Sequence, residues 1–260
     1  FRHNDLDVYH EGGRIHSFIY NQHRCALTPI NFNLRNFNLQ AGLYWDYLHF
    51  LDNTLTTGSH PINLENDHYF NFHVQLNYNS ENQWYFPTHG SRLKVEYAYI
   101  TDNFTQLDDK AGLSEVNANW RFSIPLSKRF TLRPMVYGRC LWGAKIPVIY
   151  GNCIGGEWFG HYLEQQMPFA GIGNMEFTDR HFMALQLEAQ QNIANSHFIL
   201  LRLAAAQHAE EFKHTFKQQT LLGYQLGYYY NTLLGPLGAT IGYSNKTKEV
   251  NFYINLGFEF

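Results

Sequence analysis

The sequence predicts an all-β chain, an antiparallel transmembrane β-barrel, and three observations carry that prediction. Charged residues make up only 16% of the 260, against the roughly 25% usual in a soluble domain. Aromatic residues reach 17%, and Asn, Gln, Gly, Tyr and Phe fill the place of the missing charges. Segment after segment also alternates strictly between apolar and polar positions. A barrel in lipid unites the three, because one face of each strand meets hydrocarbon and the other a wet lumen. A charge on the lipid face near the midplane costs about 2–4 kcal/mol. The same figures exclude other classes. A disordered chain is poor in aromatics and rich in charge, and a net charge of -3 is not the basic balance of a nucleic-acid binder. No run approaches the roughly 18 apolar residues of a membrane-spanning helix.

The last strand is the clearest. Phe252, Ile254, Leu256, Phe258 and Phe260 share one face, and Tyr253, Asn255, Gly257 and Glu259 the other. The pattern recurs upstream. Leu185 and Leu187 oppose Gln186 and Glu188; Ile199, Leu201 and Leu203 oppose Arg202; Val116, Ala118, Trp120 and Phe122 oppose Asn117, Asn119 and Arg121. Leu93, Val95 and Tyr97 oppose Arg92, Lys94 and Glu96, and Phe72, Val74 and Leu76 oppose His73, Gln75 and Asn77. None of these apolar faces carries Lys, Arg, Asp or Glu. A soluble sandwich also alternates, but its hidden face is built from Val, Ile and Leu and its exposed face carries more Lys and Glu.

About twelve strands follow, each of roughly ten or more residues, as a tilted span needs. Their predicted spans are 1–10, 13–26, 34–50, 67–79, 90–103, 113–126, 129–142, 181–193, 197–208, 219–232, 236–244 and 249–260. In the first two, Arg14, His16 and Ser17 blur the alternation. Short connections hold turn residues, as at Thr28-Pro29-Ile30-Asn31, Leu126-Ser127-Lys128 and Leu234-Gly235-Pro236. Longer ones fall at 52–66, 104–112, 143–180 and 209–218. Outer-membrane barrels keep short turns in the periplasm, which predicts a periplasmic C-terminus in a Gram-negative outer membrane. The chain reads as one barrel domain, 1–260, with one long loop at about 143–180. Cys140 and Cys153 flank that loop and either bridge or remain packed thiols, with Cys25 left over. The opening Phe1-Arg2-His3-Asn4 has no basic region followed by an apolar one, so the chain reads as mature, processed or partial.

Three motifs carry a family resemblance. Phe86-Pro87-Thr88-His89-Gly90-Ser91-Arg92-Leu93 is a tight turn feeding a strand, and Phe86, Pro87, Thr88, Gly90 and Leu93 resemble the central-strand turn of the BamA/TamA-like bacterial surface antigen barrels. In the long loop, Gly155, Gly156, Gly160, His161 and Tyr162 resemble that superfamily's loop folded back into the lumen, and Gln165, Gln166, Pro168 and Phe169 are closest to the barrels that follow patatin-like phospholipase domains. Gly235-Pro236-Leu237 before the penultimate strand, with Phe252, Gly257, Phe258 and Phe260 in the last, resembles the close of such barrels, where the terminal Phe is the signal read by the barrel assembly machinery. Two positions depart. Asn255 stands where the assembly signal commonly has Gly, and His161 stands where the loop normally presents an Arg to carboxylates of the wall, with Glu188 and Glu164 as its partners here. The resemblance further implies sixteen strands, of which this chain supplies the C-terminal part.

By that resemblance the chain is the membrane anchor or translocator of a patatin-like lipid hydrolase whose catalytic domain lies elsewhere. The alternative is a protein insertion or secretion translocator of BamA/TamA type with upstream POTRA repeats, and a second is a stand-alone pore or barrel phospholipase. Catalytic residues are not predicted: the chain has no Gly-x-Ser-x-Gly elbow, and His89 with Ser91 read as turn chemistry. No metal site is predicted, since the 14 histidines lack ligand spacing, and no cofactor. The expected partners are outer-membrane lipid, the assembly machinery and the protein's own hydrolase or POTRA segment. Arg92, Arg121, Arg133, Arg139 and Arg202, against Asp46, Glu96, Glu188 and Glu259, read as an ion-pair network inside the lumen.

Overall fold

A computed structural model describes residues 1–55, 66–157 and 165–256. Seventeen strands occur among them: β1 (Arg2–His10), β2 (Gly13–Leu34), β3 (Phe37–Leu55), β4 (Asp67–Asn79), β5 (Gly90–Thr101), β6 (Gln106–Leu107), β7 (Lys110–Ala111), β8 (Leu113–Pro125), β9 (Phe130–Trp142), β10 (Cys153–Ile154), β11 (Gln166–Met167), β12 (Glu176–Phe177), β13 (His181–Ala194), β14 (His197–Ala209), β15 (Leu221–Thr232), β16 (Gly235–Ser244) and β17 (Val250–Leu256). Fifteen form one sheet in the order β11-β10-β12-β1-β2-β3-β4-β5-β8-β9-β13-β14-β15-β16-β17, and β6 pairs with β7. The long strands are an antiparallel meander, as predicted for an all-β chain. The count exceeds the expected twelve by five strands of two residues each, which lie inside connections and are too short for periodicity to register. Among the described residues no ladder joins β17 to β1, so the sheet keeps two edges.

The faces are inverted relative to a soluble protein. Leu185 is 60% exposed and Phe252 67%, while Asp46, Arg139, Glu188 and Arg202 are buried on the opposite side. No helix among the described residues is long and apolar enough to cross a membrane, so the strands carry the apolar surface.

Connections at 11–12, 102–112, 143–180, 210–220 and 245–249 share one end of the sheet, the loop end; those at 35–36, 80–89, 126–129, 195–196 and 233–234 share the other, the turn end. The start of the chain departs from the pattern of the other strands in two ways. The turn predicted at Thr28–Asn31 is absent: β2 runs on to Leu34 and reverses at Arg35, whose φ is 52. Pro29 is accommodated because the β2–β3 register shifts between Leu27 and Ile30; at such a bulge the missing N–H breaks no ladder bond. The alternation of β1 is also reversed, with Leu6 and Val8 buried inside and Asp5 and Asp7 outside. Its level explains this. β4 begins at Asp67, opposite Leu48, so the stretches of β2 and β3 beyond that pair overhang the loop end, and β1 pairs only with β2 13–22.

Apolar packing inside the sheet falls into three clusters. One joins Leu6, Val8, Phe18, Tyr20, Leu48 and Ile100 to Tyr150 and Met175 at the loop end. A second joins Phe169, Ala170 and Ile172 to Tyr137, Phe182, Ala204 and Ala206. The third is Phe86 with Phe198, Leu200 and Tyr229.

Candidate functional site

The connection from β9 to β13 packs onto the polar face of the wall, and its glycines make that approach possible. Gly155 and Gly156 have φ of 122 and 75, a region costly to any residue with a Cβ. Gly155 N–H donates to Met167 O at 3.0 Å and Gly156 N–H to Ile172 O at 2.8 Å. Gln166 closes the same turn through Nε2 to Gly155 O at 2.8 Å. Tyr137 Oη donates to Pro168 O at 2.8 Å, and Phe169 meets Phe182 edge-on at 6.3 Å. The wall is small where the loop is closest: a Cβ on Gly223 of β15 would lie 2.0 Å from Ala170 O.

This folding aims Glu157, 2% exposed, at Arg202 of β14, and the two form an ion pair. Glu157 Oε1 also accepts from Gln225 Nε2 at 2.6 Å and Thr240 Oγ1 at 3.1 Å. Arg202 Nε in turn donates to Glu188 Oε2 at 2.6 Å, and Glu188 pairs with Arg133. The result is a buried row of alternating sign, Glu157–Arg202–Glu188–Arg133, that joins the loop to three strands. Such a row holds only when complete, since removing one partner strands a buried charge. A second brace stands beside it: Arg139 donates to Glu115 at 2.6 Å, to Asn152 Oδ1 at 2.8 Å and to Tyr150 O at 2.9 Å.

The expected lumen network is therefore present with altered membership. Arg121 pairs with Glu81 of the β4–β5 turn at 2.7 Å, Arg24 with Asp46 at 2.7 Å and Lys94 with Glu96 at 3.0 Å; Arg92 lies over the Trp84 ring at 4.8 Å. The wall of β2–β4 carries an amide row, in which Asn38 donates to Asn31 at 2.8 Å and Asn33 at 2.7 Å, and Asn77 donates to Asn38 at 3.2 Å. Between loop and wall lies a polar cavity of about 150 Å³, bordered by Gln75, Lys94, Glu96, Asn117 and Gln165.

Of the sequence-predicted site residues, Gly160, His161, Tyr162, Glu164, Gly257, Phe258 and Phe260 lie outside the described residues, as does Glu259. Glu188 is engaged by Arg133 and Arg202. Gln165 donates to Ile149 O. Phe252 lies on the outward face. In the turn motif Phe86 points inward, Thr88 is bound by Asn82 at 3.1 Å, Gly90 opens β5, and Leu93 pairs with Tyr78 and Trp120. His89 Nδ1 faces Thr88 Oγ1 at 3.4 Å. All three cysteines are free; Cys25 is exposed and Cys140 and Cys153 buried. Burial pushes the Cys153 thiol up to about 12, against the opposing pull of Arg139. Among the described residues no three His, Cys, Asp or Glu side chains converge as a metal site.

Strand alternation does not single out Glu157. The wall carries a signal for it: on β9, β13 and β14 the pair Arg133 and Arg202 shares the single carboxylate of Glu188, which leaves one buried positive charge for the loop to neutralise.

Outward apolar faces, a charged interior and a loop seated on that interior define an outer-membrane β-barrel with an in-folded connection. A family model described as the OMP85 superfamily matches residues 30–260, and the chain belongs to that superfamily. In fold it is similar to BamA from Haemophilus ducreyi lacking POTRA domains 1–3, with a TM-score of 0.64 and 14% identity. The alignment covers 96% of this chain and 56% of that one, so the chain spans just over half the length of that structure. No curated protein matches the chain.

Proposed function

We propose that this chain is the membrane barrel of an OMP85-type translocator, which inserts or secretes other polypeptides at the outer membrane, with its turn end and C-terminus in the periplasm. The observation that carries the reading is the lock between loop and wall, Glu157 on Arg202, in a barrel of this superfamily. Residues 1–260 act as one barrel domain with 143–180 inside. Gly160, His161, Tyr162 and Glu164 complete the loop, and Gly257, Phe258 and Phe260 serve as the assembly signal. Outer-membrane lipid, the assembly machinery and a POTRA segment are its partners.

The proposed barrel has the sixteen strands that the family resemblance implies. Residues 23–34 of β2 expose Leu27, Ile30, Phe32 and Leu34, and at the level of the lipid backbone groups must be bonded within the protein.

The anchor of a patatin-like hydrolase rests on Gln165-Gln166-Met167-Pro168-Phe169. Each polar member of that run serves the loop's own fold, whichever domain accompanies the barrel, so the motif does not favour the hydrolase. The test is reconstitution of the full-length protein in liposomes with an unfolded outer-membrane barrel as client. Faster client folding, slowed by Glu157→Ala, is expected. Phospholipid hydrolysis with client folding no faster than in empty liposomes would overturn the reading.

A further inference from the structure

We propose that the β4–β5 turn, residues 80–89, is a plug that crosses the lumen and closes the turn end of the barrel. The turn leaves β4 at Asn79 and re-enters the sheet at Gly90. Phe86 nevertheless stacks on Phe198 of β14, with ring centroids 4.2 Å apart and planes at 9°, and lies 5.8 Å from Tyr229 of β15. In the sheet, β8, β9 and β13 stand between β5 and β14. Neighbouring strands are about 4.8 Å apart, so the seat lies about 19 Å around the wall from β5, and because that seat is on the inward face the ring sits inside the barrel. Phe86 is 1% exposed, and Phe198, Leu200 and Tyr229, its seat, are all buried on the inward face.

The turn is built to hold that position. Glu81 receives a two-pronged hydrogen bond from Arg121 of β8, at 2.8 and 2.7 Å, which fixes the near side. Asn82 Oδ1 accepts from the Thr88 and His89 N–H groups at 3.0 and 3.2 Å, tying the two limbs of the turn together. On the far side Gln190 of β13 donates to Phe86 O at 3.2 Å. Phe86 itself has a φ of 49, a left-handed conformation that a bulky side chain holds only where its surroundings over-determine it. Arg35 has the same conformation in a simple reversal; at Phe86 it accompanies a buried ring seated on β14 and β15. The 150 Å³ polar cavity lies against the β9–β13 loop, which lines it through Tyr150 and Gln165, and against the wall at Lys94, Glu96 and Asn117; under this proposal the turn controls access to that chamber from the turn end.

Access to the chamber tests this without depending on what the barrel transports. In the full-length protein in lipid nanodiscs, with Cys25→Ser to remove the exposed thiol, Asn117→Cys places a reporter on the chamber wall. Its labelling by a membrane-impermeant maleimide is read against the same protein lacking that reporter. Phe86→Ala is expected to raise the rate about ten-fold, since a buried aromatic stack is lost. Gln190→Ala, which leaves the ring in place, should raise it less, and Leu126→Ala in the neighbouring turn not at all. Equal rates in the parent, Phe86→Ala and Gln190→Ala would overturn the proposal. If Phe86→Ala fails to give the heat-modifiable gel shift of a folded barrel, Gln190→Ala decides alone: a rise supports the plug and an unchanged rate refutes it.

Discussion

Glu157 illustrates how much one loop side chain does when the wall beneath it carries unbalanced charge. Arg133, Glu188 and Arg202 leave one net positive charge inside the barrel, and the carboxylate from the loop cancels it while Gln225 and Thr240 fill its remaining lone pairs. Glu157→Ala is therefore expected to destabilise the barrel by about 3–5 kcal/mol, because it leaves Arg202 buried and incompletely paired. Combining it with Arg202→Ala should cost less than the sum of the single changes, as partners in one network do. Urea unfolding followed by tryptophan fluorescence measures both, and strict additivity would show that the pair does not interact. The residue types were visible in the sequence, since a carboxylate follows directly on Gly155-Gly156. Its destination was not, because no periodicity links a loop position to a strand 45 residues away.

Strands and connections differ in how plainly the sequence announces them. β13, β14 and β15 are read almost to the residue from alternation alone, because lipid forbids charge on one face along their whole length. Alternation gives way where that constraint lapses. β1 lies in the overhang, so its outward side is free to be Asp5 and Asp7, and Pro29 mimics a turn because a bulge tolerates it as well as a turn does. The connection 143–180 was legible as long but not in its path, which small wall residues determine. Gly223→Ala tests that path: the new Cβ would fall 2.0 Å from Ala170 O, a backbone atom of the connection. The expected outcome is faster proteolysis within 143–180 at unchanged strand content by circular dichroism. Unchanged proteolysis would mean that the loop does not depend on this contact.

At the scale of the whole molecule, the inversion of faces is the property on which residence in the outer membrane depends. Leu201→Arg, on the outward side of β14, should cost about 2–4 kcal/mol and retard folding into lipid vesicles, whereas Asn119→Arg, on the lumen side, should be tolerated. Equal retardation by the two changes would contradict the assignment of faces. The division runs around the barrel as well as through it. From β8 to β16 the interior is cross-braced by Glu157–Arg202–Glu188–Arg133 and by Arg139 with Glu115. From β2 to β4 the turn-end half carries amides that bond one another, with the Arg24–Asp46 ion pair further along the same strands. An amide that lets go of one neighbour finds another donor or acceptor within reach, while a guanidinium that lets go of its carboxylate strands two charges. The wall is thus braced by linked charges from β8 to β16 and by local amide contacts at the turn end of β2–β4, so the loss of one carboxylate disturbs several strands on the first flank and a single contact on the second.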